Sequence, residues 1–193
     1  EYKNPFHPST YAHFVARKDY RKTYDVYKDD TLLNRKPKKS RKIFVCLDEQ
    51  RGQYLVDGLI AMDFPLSSGV KAYPTKTGDY TVISKKEDHA SNLYGKMYDA
   101  EGKCINYNAE STDPVPEGGR FDGSPMPYWQ RLTNAGLGLH VGKVRRHPIS
   151  HGCVRLPRNV AEILYKQTSV GTPVTIQRTP LPVPEAQKAP AVQ

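Results

Sequence analysis

From Ile43 onward the apolar positions fall into short runs separated by turn residues, a pattern of strands rather than helices. KIFVCLD and GQYLVDG flank the turn-like EQRG, and LIAMDFPLSSG follows Asp57-Gly58, a strong hairpin dipeptide. TGDYTVISKK reads as a further strand, so this region is expected to be an antiparallel β meander. PYWQRLT, GLGLHVG and TPVTIQ read as later strands. RNVAEILYKQT is the clearest helix: Asn159 is placed to cap it, Glu162 completes a capping box, and Val160, Ile163 and Leu164 form its apolar face. Gly171 is expected to stop it. The expected fold is mainly β, a sandwich or meander with one short helix and a long lid-like loop.

Three stretches lack this regularity. Residues 1–42 form a basic, Tyr- and Lys-rich segment in which Tyr20, Tyr24 and Tyr27 are spaced for a helix with a thin apolar stripe; its basic run Arg35 to Lys42 reads as a solvated linker. Residues 86–127 are rich in Gly, Asp, Asn and Pro, and a stretch this long and aperiodic reads as an active-site rim or lid. The Pro/Ala-rich tail 179–193 has nothing to bury and is expected to be extended. The expected organisation is one catalytic domain, 43–178, between these two ends.

Composition narrows the class. The 193 residues are 37% apolar and 25% charged, which suits one domain with a real core, and no apolar run is long enough to span a bilayer. The first residue is Glu1, so a processed or trimmed start is expected, with any export signal already removed. A formal charge of +9 and a pI near 9.4 predict attraction to a polyanion without naming it. Nucleic acid would need a recognition motif, and the sequence carries none, so no nucleic-acid partner is expected. Cys46, Cys104 and Cys153 allow at most one disulfide and leave a thiol over; no CxxC suggests a zinc ribbon or redox pair.

The reactive groups cluster near HPISHGCVRLP: His140, His147, His151 and Cys153. Cys153 follows Gly152 and precedes the helix, so its sulfur can sit on a tight turn whose backbone N–H groups form an oxyanion hole, worth about 3 kcal/mol per donor. An imidazole partner would lower the thiol from its usual value of about 8.5, so that thiolate is available near neutrality. His140, at the end of the apolar strand GLGLH, is the candidate base. Two other readings use the same residues: the four side chains as zinc ligands, whose spacing fits poorly, and a buried structural cysteine.

LHVGKVRRHPISHGCVRLP resembles the active-site signature of the L,D-transpeptidase catalytic domain (YkuD-like) family, a histidine followed after a loop by [S/T]-x-G-C-[V/I]-R. FPLSSGVKAYPTKTGDYTV is similar to that family's Ser-x-Gly, Thr-x-x-Gly and strand succession, with Lys76 where proline is common, and the resemblance covers about residues 42–178. DHASNLYG and GSPMPYWQRLT also look like elements of one branch of it.

The resemblance implies roles position by position. Cys153 would be the nucleophile and His140 its base, oriented by the carbonyl of Val141. Ser150, His151 and Gly152 would shape the turn, with the amides of Gly152 and Cys153 as oxyanion donors. Arg155 would hold the turn or attract a substrate carboxylate, Tyr128 and Trp129 would contact substrate, and His147, in a family-variable loop, is assigned no role. It also implies no metal or organic cofactor, and peptidoglycan stem peptides as donor and acceptor, with anionic wall polymers as further partners. The implied location is the bacterial envelope, periplasmic or otherwise extracytoplasmic. The implied reaction is a thioester between Cys153 and a tetrapeptide stem with loss of D-Ala, then transfer to an amine to make 3→3 cross-links. Water as acceptor would make an L,D-carboxypeptidase, and a protein amine an anchoring enzyme. A non-catalytic wall-binding or metal-binding module is the reading from another class.

Overall fold

A computed structural model describes residues 2–190. Ahead of the predicted meander come α1 (Tyr11–Val15), the short strand β1 (Tyr27–Lys28) and α2 (Asp30–Asn34). The meander follows as β2 (Arg41–Cys46), β3 (Arg51–Val56) and β4 (Leu59–Pro65), antiparallel throughout and turned at Asp57-Gly58. Next are β5 (Gly78–Thr81), β6 (Ser84–Lys86), β7 (Ala90–Tyr98), β8 (Cys104–Glu110) and β9 (Arg120–Pro125). The chain continues through β10 (Trp129–Arg131), β11 (Gly138–Val141), β12 (Val154–Leu156), α3 (Arg158–Gln167) and β13 (Pro173–Gln177).

The strands make three sheets, ordered β1-β4-β3-β2-β13-β5, β12-β11-β10-β6 and β8-β7-β9. The first two share one core with α3. Ile43, Val45, Tyr54, Val56, Met62 and Phe64 of the meander meet Leu139, Val154 and Leu156 of the second sheet and Val160, Ala161 and Leu164 of the helix. β3 and β4 are buried on both faces, and their polar members Arg51, Gln53 and Asp63 are buried with the apolar ones.

Several sequence expectations are corrected. TGDYTVISKK is two strands: at Val82 the chain leaves the first sheet, where β5 pairs β13, and enters the second, where β6 pairs β10. The capping box of α3 does not form, because the helix starts two residues earlier, after Pro157; Asn159 is exposed inside it and Glu162 pairs with Lys166 at 2.7 Å. Thr168, not Gly171, ends it. Residues 86–127 are not an irregular loop but hold the three-stranded sheet β8-β7-β9, whose strands bury little beyond Gly95, Met97 and Ala109 and so carry almost no apolar alternation.

The N-terminal segment also differs. Tyr20, Tyr24 and Tyr27 do not share a helix: Tyr20 lies in a turn, Tyr24 is exposed and Tyr27 pairs opposite Asp63 in β1. The reason is a distant partner. Asp63, fully buried, accepts from Tyr11 Oη at 2.6 Å, Tyr20 Oη at 2.8 Å, Gln53 Nε2 at 3.0 Å and Arg51 Nε. Burial beside this carboxylate pushes both phenols up, so they remain donors. A buried ion pair repays its desolvation only when its remaining hydrogen bonds are made, as here. Arg35 to Lys42 is an ordered corner, with the Asp57 carboxylate accepting from Arg35 Nη1, Lys39 N and Ser40 N. The tail does bury surface: Leu181 and Val183 pack on the Tyr11–Phe14 cluster, and Gln187 exchanges two hydrogen bonds with the Ile60 backbone, at 2.8 and 2.9 Å. Glu1 and residues 191–193, part of the expectations for the two ends, lie outside the described residues.

Candidate active site

β11 and β12 run parallel, with Leu139 opposite Val154 and His140 opposite Arg155, which sets Cys153, just ahead of β12, beside the histidine strand. The turn carrying the sulfur is tied from three directions. Ser150 Oγ donates to Cys153 O and accepts from Gly152 N at 3.1 Å, and Gly152, with φ of +117°, adopts a conformation that a side chain would strain. Thr75 Oγ1 donates to Gly152 O at 2.6 Å while accepting from Gly69 N at 2.8 Å. At Gly69 a Cβ would lie 2.1 Å from Tyr73 O and 2.8 Å from Gly152 Cα, so the Ser-x-Gly motif admits no larger residue there. Ser67 bridges Arg155 through its backbone, and its Oγ accepts from Arg145 N at 2.8 Å.

His140 is 6% exposed, and its Nδ1 lies 2.7 Å from Val141 O, which fixes the proton on Nδ1 and leaves Nε2 as the basic nitrogen. Desolvation pulls its pKa down to about 4, against the opposing effect of the Val141 carbonyl, with Arg155 and His89 adding to the drop. Burial pushes the Cys153 thiol up, partly offset by a backbone hydrogen bond at Gly138 and by the Arg155 charge, and Sγ donates to Gly136 O at 3.3 Å. Desolvation thus penalises both charged forms and works against the thiolate that the motif alone predicts near neutrality. The Gly152 amide, expected to face an oxyanion, is engaged by Ser150 Oγ instead.

Both groups open on a cleft of about 690 Å³ that runs beneath the lid strands. Leu93, Tyr94 and Tyr107 line it from the lid, and Lys76, Arg131, Lys143 and Arg155 bring four cationic side chains against one carboxylate, Glu110. His151 stacks on Tyr94 of the lid, with centroids 4.5 Å apart and planes at 19°, and meets Tyr73 at 4.8 Å. Trp129 lines the cleft floor but is almost wholly buried; its ring lies 6.0 Å from that of His140 and stacks on His89 at 5.1 Å. Tyr128, expected at the substrate, is not in this cleft. Its ring meets Tyr165 of α3 at 5.5 Å, and it lines a separate hollow with Glu87, Asp88, Pro127 and Arg158, because it sits in the bend ahead of β10 with φ of +55°, outside the strand that carries Trp129.

His147 is exposed, its Nδ1 3.3 Å from Pro148 O. Among the described residues no group of three or more His, Cys, Asp or Glu is placed to share an ion. All three cysteines are free; Cys46 is buried and donates to Arg178 O at 3.0 Å, and Cys104 stands at the start of β8. The sequence reading missed Tyr73, Thr75, His89 and Tyr94. Only Thr75 had a local signal, the Thr-x-x-Gly motif; His89 and Tyr94 belong to the 86–127 stretch, and Tyr73 comes from the loop between β4 and β5.

Residues 40–176 match the YkuD family model, described as the L,D-transpeptidase catalytic domain. A curated relative, "Probable L,D-transpeptidase 3" of Mycobacterium tuberculosis, is 32% identical over 120 residues, which cover 58% of this chain and 38% of the relative. Among solved structures, an L,D-transpeptidase from Mycobacterium smegmatis superposes with a TM-score of 0.55 at 22% identity, covering 72% of this chain and 58% of its own. L,D-transpeptidase 3 from Mycobacterium tuberculosis, solved in complex with a faropenem-derived adduct, gives a TM-score of 0.52 at 24% identity, covering 72% and 60%. The chain thus spans less than two thirds of these relatives' length. No helix among the described residues is long and apolar enough to cross a membrane.

Proposed function

The chain belongs to the L,D-transpeptidase catalytic domain family, and from that premise we propose that it is a cysteine transpeptidase making 3→3 cross-links between peptidoglycan stems. The observation that carries this is His140, its Nδ1 held by Val141 O at 2.7 Å, sharing one cleft with Cys153. Since burial disfavours both the thiolate and the imidazolium, the proton moves as the sulfur attacks. His140 Nε2 takes the thiol proton while Sγ bonds to the carbonyl carbon of the stem's third residue. The amide C–N bond to the terminal D-Ala then breaks, and His140 returns that proton to the leaving amine. In the second half an acceptor amine attacks the thioester, the C–S bond breaks, and the amine proton passes through His140 back to sulfur.

With the Gly152 N–H turned to Ser150 Oγ, the oxyanion role falls to the Cys153 amide, and a donor at such a position is worth about 3 kcal/mol. Ser150, His151, Gly152 and Val141 hold the machinery, and Arg155 faces substrate from the cleft wall. The four cations of the cleft suit the carboxylates of stem peptides. The site of action is the cell envelope, on its extracytoplasmic side, with anionic wall polymers drawn to the basic surface.

The test is incubation of the chain with a disaccharide tetrapeptide, followed by mass analysis of the soluble products. A dimer joined through the two third residues, with release of D-Ala, is expected from the wild type and absent with Cys153→Ala. Tripeptide without dimer would reassign the acceptor to water, and unchanged substrate would overturn the reading.

A further inference from the structure

The loop from Gly142 to Ile149 joins the histidine strand to the nucleophile turn, and its middle is held by one side chain. Arg146, with φ of +56°, turns a half-buried guanidinium inward. Its Nη1 donates to Tyr20 O at 3.2 Å and Thr23 O at 2.9 Å, and its Nη2 to Glu49 O at 2.8 Å. These carbonyls are themselves fixed. Thr23 O also accepts from Arg51 Nη1 at 3.0 Å, Asp25 O accepts from Arg51 Nη2 at 2.8 Å, and Arg51 is locked on buried Asp63 together with Tyr11 and Tyr20.

Glu49 belongs to the turn between β2 and β3. Beside it, Gln50 exchanges hydrogen bonds with Ser68, at 2.8 Å to Oγ and 3.0 Å from N, and Ser68 O accepts from Ile149 N at 2.9 Å and Ser150 N at 3.0 Å. The loop is therefore gripped at its end by the β2–β3 turn and at its middle by the same turn plus residues 20–23.

We propose that Arg146 is a positioning residue for the nucleophile turn, and that residues 11–25, outside the stretch matched by the family model, serve as its brace. A planar guanidinium donating to three carbonyls at once fits this task, and an ammonium on a flexible stem reproduces it only in part. Arg146 does not line the cleft, and its guanidinium bonds go to Tyr20, Thr23 and Glu49 rather than to Cys153. Its action is on where Ser150 and Cys153 stand. The proposal rests on the acyl-transfer reading only for its kinetic readout.

The test uses single-turnover acylation by a penem, together with hydrogen exchange, on the whole chain. Arg146→Ala is expected to lower the maximal acylation rate by about tenfold to a hundredfold, the scale of a misplaced reacting group. The half-saturating concentration is expected to stay within about twofold, and Arg146→Lys to recover part of the rate. Exchange is expected to quicken over residues 143–150 while β2 and β13 keep their protection. A maximal rate within about twofold of wild type for Arg146→Ala would overturn the proposal. So would a loss that Lys does not relieve, or exchange spreading into β2 and β13. Should Arg146→Ala fail to fold, Tyr20→Phe loosens the brace from Asp63, and unchanged exchange at 143–150 in that variant would also overturn it. If wild type itself is not acylated, the acyl-transfer reading fails, and the exchange arm still decides the brace.

Discussion

Acidification is expected to unfold this protein partly through a single buried imidazole. His140 has a folded-state pKa of about 4, against about 6.5 for a histidine in the unfolded chain. Its folded pKa is depressed, so the unfolded state takes up the proton first. The contribution is fully present above about pH 6.5 and is lost as pH falls toward 4. At about pH 4.5 the two pKa values give a loss of about 2.5 kcal/mol relative to neutral pH, a sizeable part of an ordinary domain's stability. Urea unfolding at about pH 7.5 and pH 4.5 measures it, with His140→Asn as the control, since the Asn amide can still donate to Val141 O but does not titrate. Wild type is expected to lose about 2.5 kcal/mol more than the variant between the two pH values. Equal losses would refute the claim that His140 is held neutral by burial.

Two further outcomes follow from the same geometry. Because burial raises the Cys153 thiol, its alkylation by iodoacetamide is expected to be slow at neutral pH and to keep rising beyond the usual thiol range of about 8.5, whereas a rate already flat at pH 7 would mean a resting thiolate. Gly69→Ala drives a Cβ against Tyr73 O and the Gly152 backbone, so acylation is expected to fall by about a hundredfold and the thermal midpoint by several degrees; calorimetry and penem acylation read both, and wild-type values in both would contradict the contact.

The meander was legible because β2, β3 and β4 are buried and bounded by turn residues, and His140 and Cys153 were legible because their motif is local. What escaped the sequence depends on distant partners. Tyr20 looked helical by spacing, but its hydroxyl is claimed by Asp63, 43 residues away. The lid strands carry mostly exposed side chains, so nothing in their order of polar and apolar residues marks them as strands. The direction of the Cys153 shift was not legible for a related reason: proximity of a thiol and an imidazole is visible in a motif, whereas the burial that desolvates both groups is not. Tyr128 and Trp129, adjacent in sequence, part company because Tyr128 takes a left-handed bend just ahead of β10, a backbone conformation that its residue type does not announce.

The most direct test of the central claim is intact-protein mass spectrometry after incubation with a penem, wild type against Cys153→Ala. The account predicts one added acyl group on wild type, mapped to the peptide containing Cys153, and none on the variant. An adduct that persists in Cys153→Ala, or none on reduced wild type, would contradict it.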